Sequence, residues 1–165
     1  MKKRKPVIGV MGGSKVSKED FQMARELGSL IAQKGWVLLN GGRNTGVMAA
    51  SAMGAKEKGG TVIGVLPDKN DKRASPDLDY VIVTGIGYAR NVINVLSSDV
   101  VIACPGSVGT ISEVMYALNY KKKVILLGLD PGPGVDAFYK KGFLFNATSP
   151  KDAVTLAAKI LKESK

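Results

Sequence analysis

Residues able to do chemistry gather in the stretch Pro105-Gly106-Ser107-Val108-Gly109-Thr110-Ile111-Ser112-Glu113, and Arg90 lies upstream of it. Gly106 and Gly109 carry no Cβ, so the backbone can turn sharply and bring its N–H groups close to a guest. A helix opening just after them would place a partial positive charge at the same spot. An anion, most simply a phosphate, is the expected ligand of Pro105, Gly106, Ser107, Val108, Gly109 and Thr110. Glu113 has two readings from its spacing alone. Thr110-Ile111-Ser112-Glu113 has the form of a capping box, with the two side chains serving each other's backbone amides, and the same carboxyl could equally serve a ligand.

Further polar groups join this stretch once the elements around it are laid out. Val100-Val101-Ile102-Ala103-Cys104 reads as the buried strand before the loop, and Ile111, Val114, Met115 and Leu118 as the apolar stripe of the helix after it. The same strand-loop-helix theme recurs along the chain. Val7–Met11 runs into Gly12-Gly13-Ser14. A helix capped by Ser17 then carries Phe21, Ala24, Leu27, Leu30 and Ile31 on one face. Trp36–Leu39 runs into Asn40-Gly41-Gly42-Arg43-Asn44-Thr45-Gly46 and a helix bearing Val47 and Met48. Thr61–Leu66 is a third strand and Tyr80–Val83 a fourth, followed by Thr84-Gly85-Ile86-Gly87 and a helix in which Arg90 and Asn91 fall in the first turn. Val124–Leu127 and the weaker Phe143–Phe145 complete the strands. Ser149 caps a last helix, with Pro150 at its first position and Asp152 closing a capping box.

Strands rich in Val, Ile and Leu without alternation, separated by helices, imply a parallel sheet covered on both faces: a Rossmann-like, doubly wound α/β domain of six or seven strands spanning residues 1–165. Ligands of such sheets lie beyond the carboxyl ends of the strands, where the strand order reverses. In the usual order 3-2-1-4-5-6, the glycine loops after strands one, two, four and five would be neighbours on one rim. That places Gly12, Gly13, Ser14, Gly41, Gly42, Arg43, Thr45 and Gly46 beside the Pro105–Thr110 loop, with Lys15 at the periphery. Arg90 would grip a phosphate or a polar ring edge, and Asn91 would orient the ligand or support its helix. The polar stretch Asp68–Asp77 reads as an exposed loop able to close over the ligand.

Composition narrows the classes. The chain has 165 residues, 45% of them hydrophobic, enough for one core without a dividing linker. It has no histidine, which excludes a His-based triad and a His-ligated zinc site, and a single cysteine, Cys104, which excludes an internal disulfide. No apolar run is long enough to cross a bilayer, and the start Met1-Lys2-Lys3-Arg4-Lys5-Pro6 is followed by too short an apolar segment for a signal peptide, so the expected location is the cytoplasm. The formal charge of +10 is spread over short clusters, Lys2–Lys5, Lys121–Lys123 and Lys140-Lys141, with few aromatic residues among them. That pattern suits a surface that attracts small anions better than a nucleic-acid interface. Strand two ends without the acidic residue that would hold a ribose diol, and no Walker A lysine is present, which argues against NAD binding and ATP hydrolysis.

With these residues assembled, the chain resembles the LOG-like Rossmann superfamily, whose hallmark PGGxGTxxE corresponds to Pro105–Glu113 here, with Arg90 upstream and Gly41-Gly42, Gly46 and Val47-Met48 also in place. Within it the whole chain, from Lys5–Gly12 through Gly35–Leu39 and Gly64–Pro67 to Val83–Gly85, is most similar to the molybdenum cofactor carrier proteins. The resemblance implies a protein that binds and protects molybdopterin as cargo and hands it to molybdoenzymes. Other members are cytokinin riboside 5'-monophosphate phosphoribohydrolases, and for that activity the resemblance implies Glu113 and Arg90 as catalytic residues. The chain departs from the hydrolase pattern at Ser107, where they have glycine, and at Asn91, where they have lysine. Despite the label "lysine decarboxylase" given to some relatives, nothing points to pyridoxal phosphate, nor to a metal held by protein side chains. The resemblance also implies a homodimer or homotetramer.

Overall fold

The structure, a computed structural model, describes residues 4–163; Lys2 and Lys3 of the basic run lie outside them. Among these residues seven strands form one parallel sheet in the order β4-β3-β2-β1-β5-β6-β7. The strands are β1 Val7–Met11, β2 Val37–Asn40, β3 Thr61–Leu66, β4 Tyr80–Val83, β5 Val100–Ala103, β6 Lys123–Leu127 and β7 Leu144–Ala147. The helices are α1 Lys18–Gln33, α2 Gly46–Glu57, α3 Arg90–Leu96, α4 Val108–Asn119, α5 Asp136–Lys140 and α6 Pro150–Glu163, with a single 3-10 turn, Gly87–Ala89, leading into α3.

Because successive strand side chains point to opposite faces, each apolar strand feeds two cores. Ile8, Val10, Leu38, Val62, Val100, Ile102 and Ile125 meet Ala24, Leu27 and Ile31 of α1, the alanines of α2, and Ala153, Ala157 and Ile160 of α6. On the other face Met11, Leu39, Val65, Val101, Ala103, Val124 and Leu126 pack under Val95 of α3 and Val114, Ala117 and Leu118 of α4. Helix ends follow local chemistry. Ser17 Oγ accepts from the Asp20 amide at 3.0 Å, and Ser149 Oγ from the Asp152 amide at 3.1 Å.

Several expectations need correction. The fourth strand does not sit beside β1. It extends the far edge past β3, pairing in register from Ile63–Tyr80 to Leu66–Val83, and the place next to β1 is taken by β5. No helix intervenes between β3 and β4: residues 67–79 cross as a loop, which leaves the local pattern silent about the edge the next strand joins. Nor is β4 covered on both faces, since Tyr80, Val81, Ile82 and Val83 are all exposed. The short helix α5, not foreseen, follows the Pro131–Gly134 turn. Asp152 does not complete a capping box with Ser149; its carboxylate accepts from the Thr148 amide instead, at 2.9 Å.

Candidate functional site

The order of strands makes β1 and β5 the switch point, and the site lies above their carboxyl ends. The loops that follow them are locked together by backbone contact. Gly13 N–H donates to Pro105 O at 2.9 Å, and the Val47 amide at the start of α2 donates to Gly13 O at 3.0 Å. This close approach requires glycine at two positions in particular. A Cβ at Gly106 would stand 2.1 Å from Thr110 Oγ1 and 2.9 Å from the Gly13 amide nitrogen; one at Gly46, where φ is +53°, would stand 2.1 Å from Gly13 O. These glycines bring three loops into one wall.

Above that wall opens a cavity of about 780 Å³. Its lining includes Gly12, Gly13, Ser14, Gly41, Arg43, Arg90, Asn91, Ser107, Val108, Gly109, Thr110 and Glu113, all expected from the sequence. Gly42, Thr45, Gly46, Pro105 and Gly106 do not line it. Gly42 and Gly46 lie behind the surface as packing positions, Thr45 is exposed at the N-cap of α2 without a side-chain cap bond, and Pro105 and Gly106 face a neighbouring depression together with Lys15. The loop after β4 does not reach the cavity through Gly85 or Gly87, whose amides are tied to Asp68 and Pro67 carbonyls; it contributes the next residues, Tyr88, Ala89 and Arg90.

At one end of the cavity stands the N-terminus of α4. Its first-turn amides have no helical acceptor by construction, and the Ser107 side chain makes no cap bond, so both are available to an anionic guest. The helix starts at Val108, three residues earlier in the motif than a Thr110 cap implies. Thr110 is therefore buried inside the first turn, and the expected capping box with Glu113 is absent.

Glu113 instead faces α3. It is 7% exposed, and its Oε1 accepts from Asn94 Nδ2 at 2.9 Å. Burial pushes its carboxyl up to about 7, against the opposing effects of the Asn94 hydrogen bond and of Arg90. Arg90 is as deeply buried. Its Nη1 donates to Gly41 O at 2.9 Å and to Val65 O at 2.8 Å, which ties α3 to the loop after β2 and the end of β3. Burial draws this guanidinium below the usual arginine range while Glu113 holds it up. Asn91 supports a helix start, but that of α4: its Nδ2 donates to Ser112 Oγ at 3.2 Å. Arg43 reaches the rim already paired, bidentate, with Asp68 at 2.8 and 2.9 Å. The Asp68–Asp77 loop is fastened beside it, with the Ser75 amide donating to Gly42 O and the Asn44 amide to Arg73 O.

Sequence reasoning missed Val10, Met11, Met48, Tyr88, Ala89, Ser112 and Tyr116 in the lining, and Asn94, which holds Glu113 from behind it. Met48 and Tyr116 fall on the helices flanking the glycine loops, so a wheel drawn from each loop would have found them; Asn94 carries no such local signal. Among the described residues no three His, Cys, Asp or Glu side chains come together as a metal-binding group, and no helix is long and apolar enough to cross a membrane.

Residues 5–160 match the family described as the SLOG cluster4 family. The chain belongs to that family. Solved structures resemble this chain over almost its full length, among them the next two. The molybdenum cofactor binding protein of Rippkaea orientalis is 49% identical, covering 96% of this chain and 98% of that one, with a TM-score of 0.90. The molybdenum cofactor carrier protein of Chlamydomonas reinhardtii is 44% identical, covering 96% and 99%, with a TM-score of 0.87. A cytokinin riboside 5'-monophosphate phosphoribohydrolase of Mycobacterium tuberculosis is 39% identical over 101 residues, which take in 60% of this chain and 54% of that protein. The resemblance to the LOG-like superfamily and its molybdenum cofactor carrier proteins, read from Pro105–Glu113 and the segments around it, holds, as does the Rossmann-like architecture.

Proposed function

We propose that this chain binds the molybdenum cofactor as cargo, protects it and passes it to molybdoenzymes in the cytoplasm. The observation that carries this reading is the likeness to the two cofactor-binding structures from end to end, at 49% and 44% identity. The cavity suits such a guest. A phosphate sits against the first turn of α4 and Ser107, with Gly12, Gly13 and Ser14 opposite, and a pterin lies deeper, bounded by Met11, Met48, Arg90 and Glu113. Arg43 and Asn91 complete the wall. The reading involves neither NAD nor pyridoxal phosphate, and no metal ligated by the protein. The excess positive charge draws in a small anion rather than a nucleic acid. Assembly as a homodimer or homotetramer would cover apolar side chains left exposed on β4, α3 and α4, among them Ile82, Leu96 and Tyr116.

The runner-up is N-glycosidic cleavage of a nucleoside 5'-monophosphate, supported by Glu113 and Arg90 lining one cavity and by the phosphoribohydrolase relative. Two features of the site weigh against it. A carboxyl pushed up to about 7 is partly neutral at physiological pH and then stabilises an oxocarbenium-like centre poorly, and Arg90 is engaged with two carbonyls of the scaffold. Incubation with AMP, following free adenine and ribose 5-phosphate, separates the two. The expected result is no turnover above that of Glu113→Gln; release of base by the wild type that the variant abolishes would overturn the carrier reading.

A further inference from the structure

Helix α3 presents three buried polar side chains to its surroundings at i, i+1 and i+4. Arg90 is fixed to the loop after β2 and to β3, Asn91 to the start of α4, and Asn94, which has no exposed surface, to Glu113. The last contact is the unusual one. Asn94 offers Nδ2 to Glu113 Oε1 at 2.9 Å, while its own Oδ1 is buried without a partner, an arrangement costly enough to call for a purpose. Glu113 Oε2 makes no hydrogen bond among the described residues and is not among the fully buried polar atoms without a partner, so it keeps accessible surface where Glu113 lines the cavity.

We propose that Asn94 is the positioning residue of this site: by holding Oε1 as an acceptor it makes Oε2 the oxygen that carries the proton, so that neutral Glu113 donates a hydrogen bond to an acceptor atom on the ligand's heterocycle. The hydrogen bond from Asn94 Nδ2 lowers the basicity of Oε1, so the proton of the neutral acid sits on Oε2, the carboxyl oxygen without a partner among the described residues. The ligand selected is a fused heterocycle with a ring nitrogen or carbonyl at that edge and an anionic group some distance away. An anion in the cavity also favours the neutral acid, so binding is accompanied by proton uptake. The charged group facing Glu113 is Arg90 of α3. Arg43 and the phenols of Tyr88 and Tyr116 line the same cavity, and β5 and β6 beneath α4 present Val101, Ala103, Val124 and Leu126. This inference rests on the proposal that the cavity takes an anionic heterocycle.

The test uses the full chain and two readouts. First, the Glu113 carboxyl is titrated by carbon NMR in the ligand-free wild type, Asn94→Leu and Asn94→Asp. Losing a hydrogen bond to the charged form raises proton affinity about tenfold, one pH unit, in Asn94→Leu. Asn94→Asp, with two carboxyls sharing one proton, titrates higher still. Second, binding of molybdopterin is followed from pH 5.5 to 8.5. Wild-type affinity is expected to fall as pH rises through the Glu113 midpoint. Glu113→Gln, which keeps a donor, loses that fall and shows only the rise from the second ionisation of the ligand's phosphate at about pH 6, and Asn94→Leu moves the break upward along with the NMR midpoint. An unmoved midpoint in both Asn94 variants, with affinity lowered equally at every pH, would reduce Asn94 to a packing role and overturn the inference. Absence of molybdopterin binding by the wild type at any pH would sink the cargo reading instead, and the NMR midpoints would still decide whether Asn94 sets the state of Glu113.

Discussion

Replacing Glu113 by glutamine should make the protein more stable at pH 8 and leave it nearly unchanged at pH 5. The carboxyl is 7% exposed and is pushed from 4.5 up to about 7 by burial. A group that binds its proton more tightly when folded adds stability below its unfolded value, and that contribution is lost as pH rises through the folded value. Here the loss runs from about pH 4.5 to about pH 7. A shift of this size corresponds to about 3 kcal/mol, to within a factor of two. Glutamine has no proton to lose, keeps the shape and still accepts from Asn94 Nδ2, so it escapes the penalty. For a domain of this size, 3 kcal/mol moves Tm by roughly 6–12 °C. Thermal melts of both proteins, at pH 5 and pH 8 in phosphate-free buffer, measure it directly. The gap in favour of the variant should open by that amount between the two pH values. A gap of the same size at both would mean that Glu113 is ionised throughout, solvated or fully compensated by Arg90, and the description of the cavity's deep end would be wrong.

Other outcomes follow from the same geometry. Gly46→Ala should destabilise by about 1–3 kcal/mol and weaken ligand binding, because the added Cβ must push back the Gly13 carbonyl that the loop after β1 presents to α2; denaturant titration gives the first and a binding titration the second. Asp68→Asn removes the bidentate partner of Arg43 and should cost about 1 kcal/mol at pH 7, with faster proteolysis within residues 67–79. Arg43 holds the Asp68 carboxyl below the usual carboxylate range, so this contribution persists above pH 4 and fades only in stronger acid. Cys104 is fully buried, with its thiol pushed up to about 12, and should not react with a thiol-specific disulfide reagent at pH 8 until the protein unfolds.

The strands, their parallel sheet and the glycine loop were legible because each is a local pattern: an apolar run, a loop rich in glycine, a capped amphipathic helix. The place of β4 was not, because residues 67–79 contain no helix whose side of the sheet would dictate the next strand's position. Thr110 and Glu113 have the spacing of a capping box, yet the helix begins at Val108, and a buried carboxyl found a stronger partner in Asn94 from another helix. That pairing joins residues 19 apart in sequence, and nothing local marks it. Arg43 looked like a free cation on the rim for the same reason: its partner Asp68 lies 25 residues on.

The central claim, that the N-terminus of α4 receives the phosphate of a bound molybdenum cofactor, is tested most directly at Gly109. A Cβ there meets nothing closer than Asn91 Nδ2 at 4.0 Å, so Gly109→Asp fits the fold, and a carboxylate near a helix N-terminus does not weaken the helix. Equilibrium binding of the molybdenum cofactor to the wild type should be saturable at one per chain, and Gly109→Asp, with an unchanged Tm, should bind at least about tenfold more weakly. Equal affinity in the two proteins would place the anion elsewhere, and no saturable binding by the wild type would contradict the account.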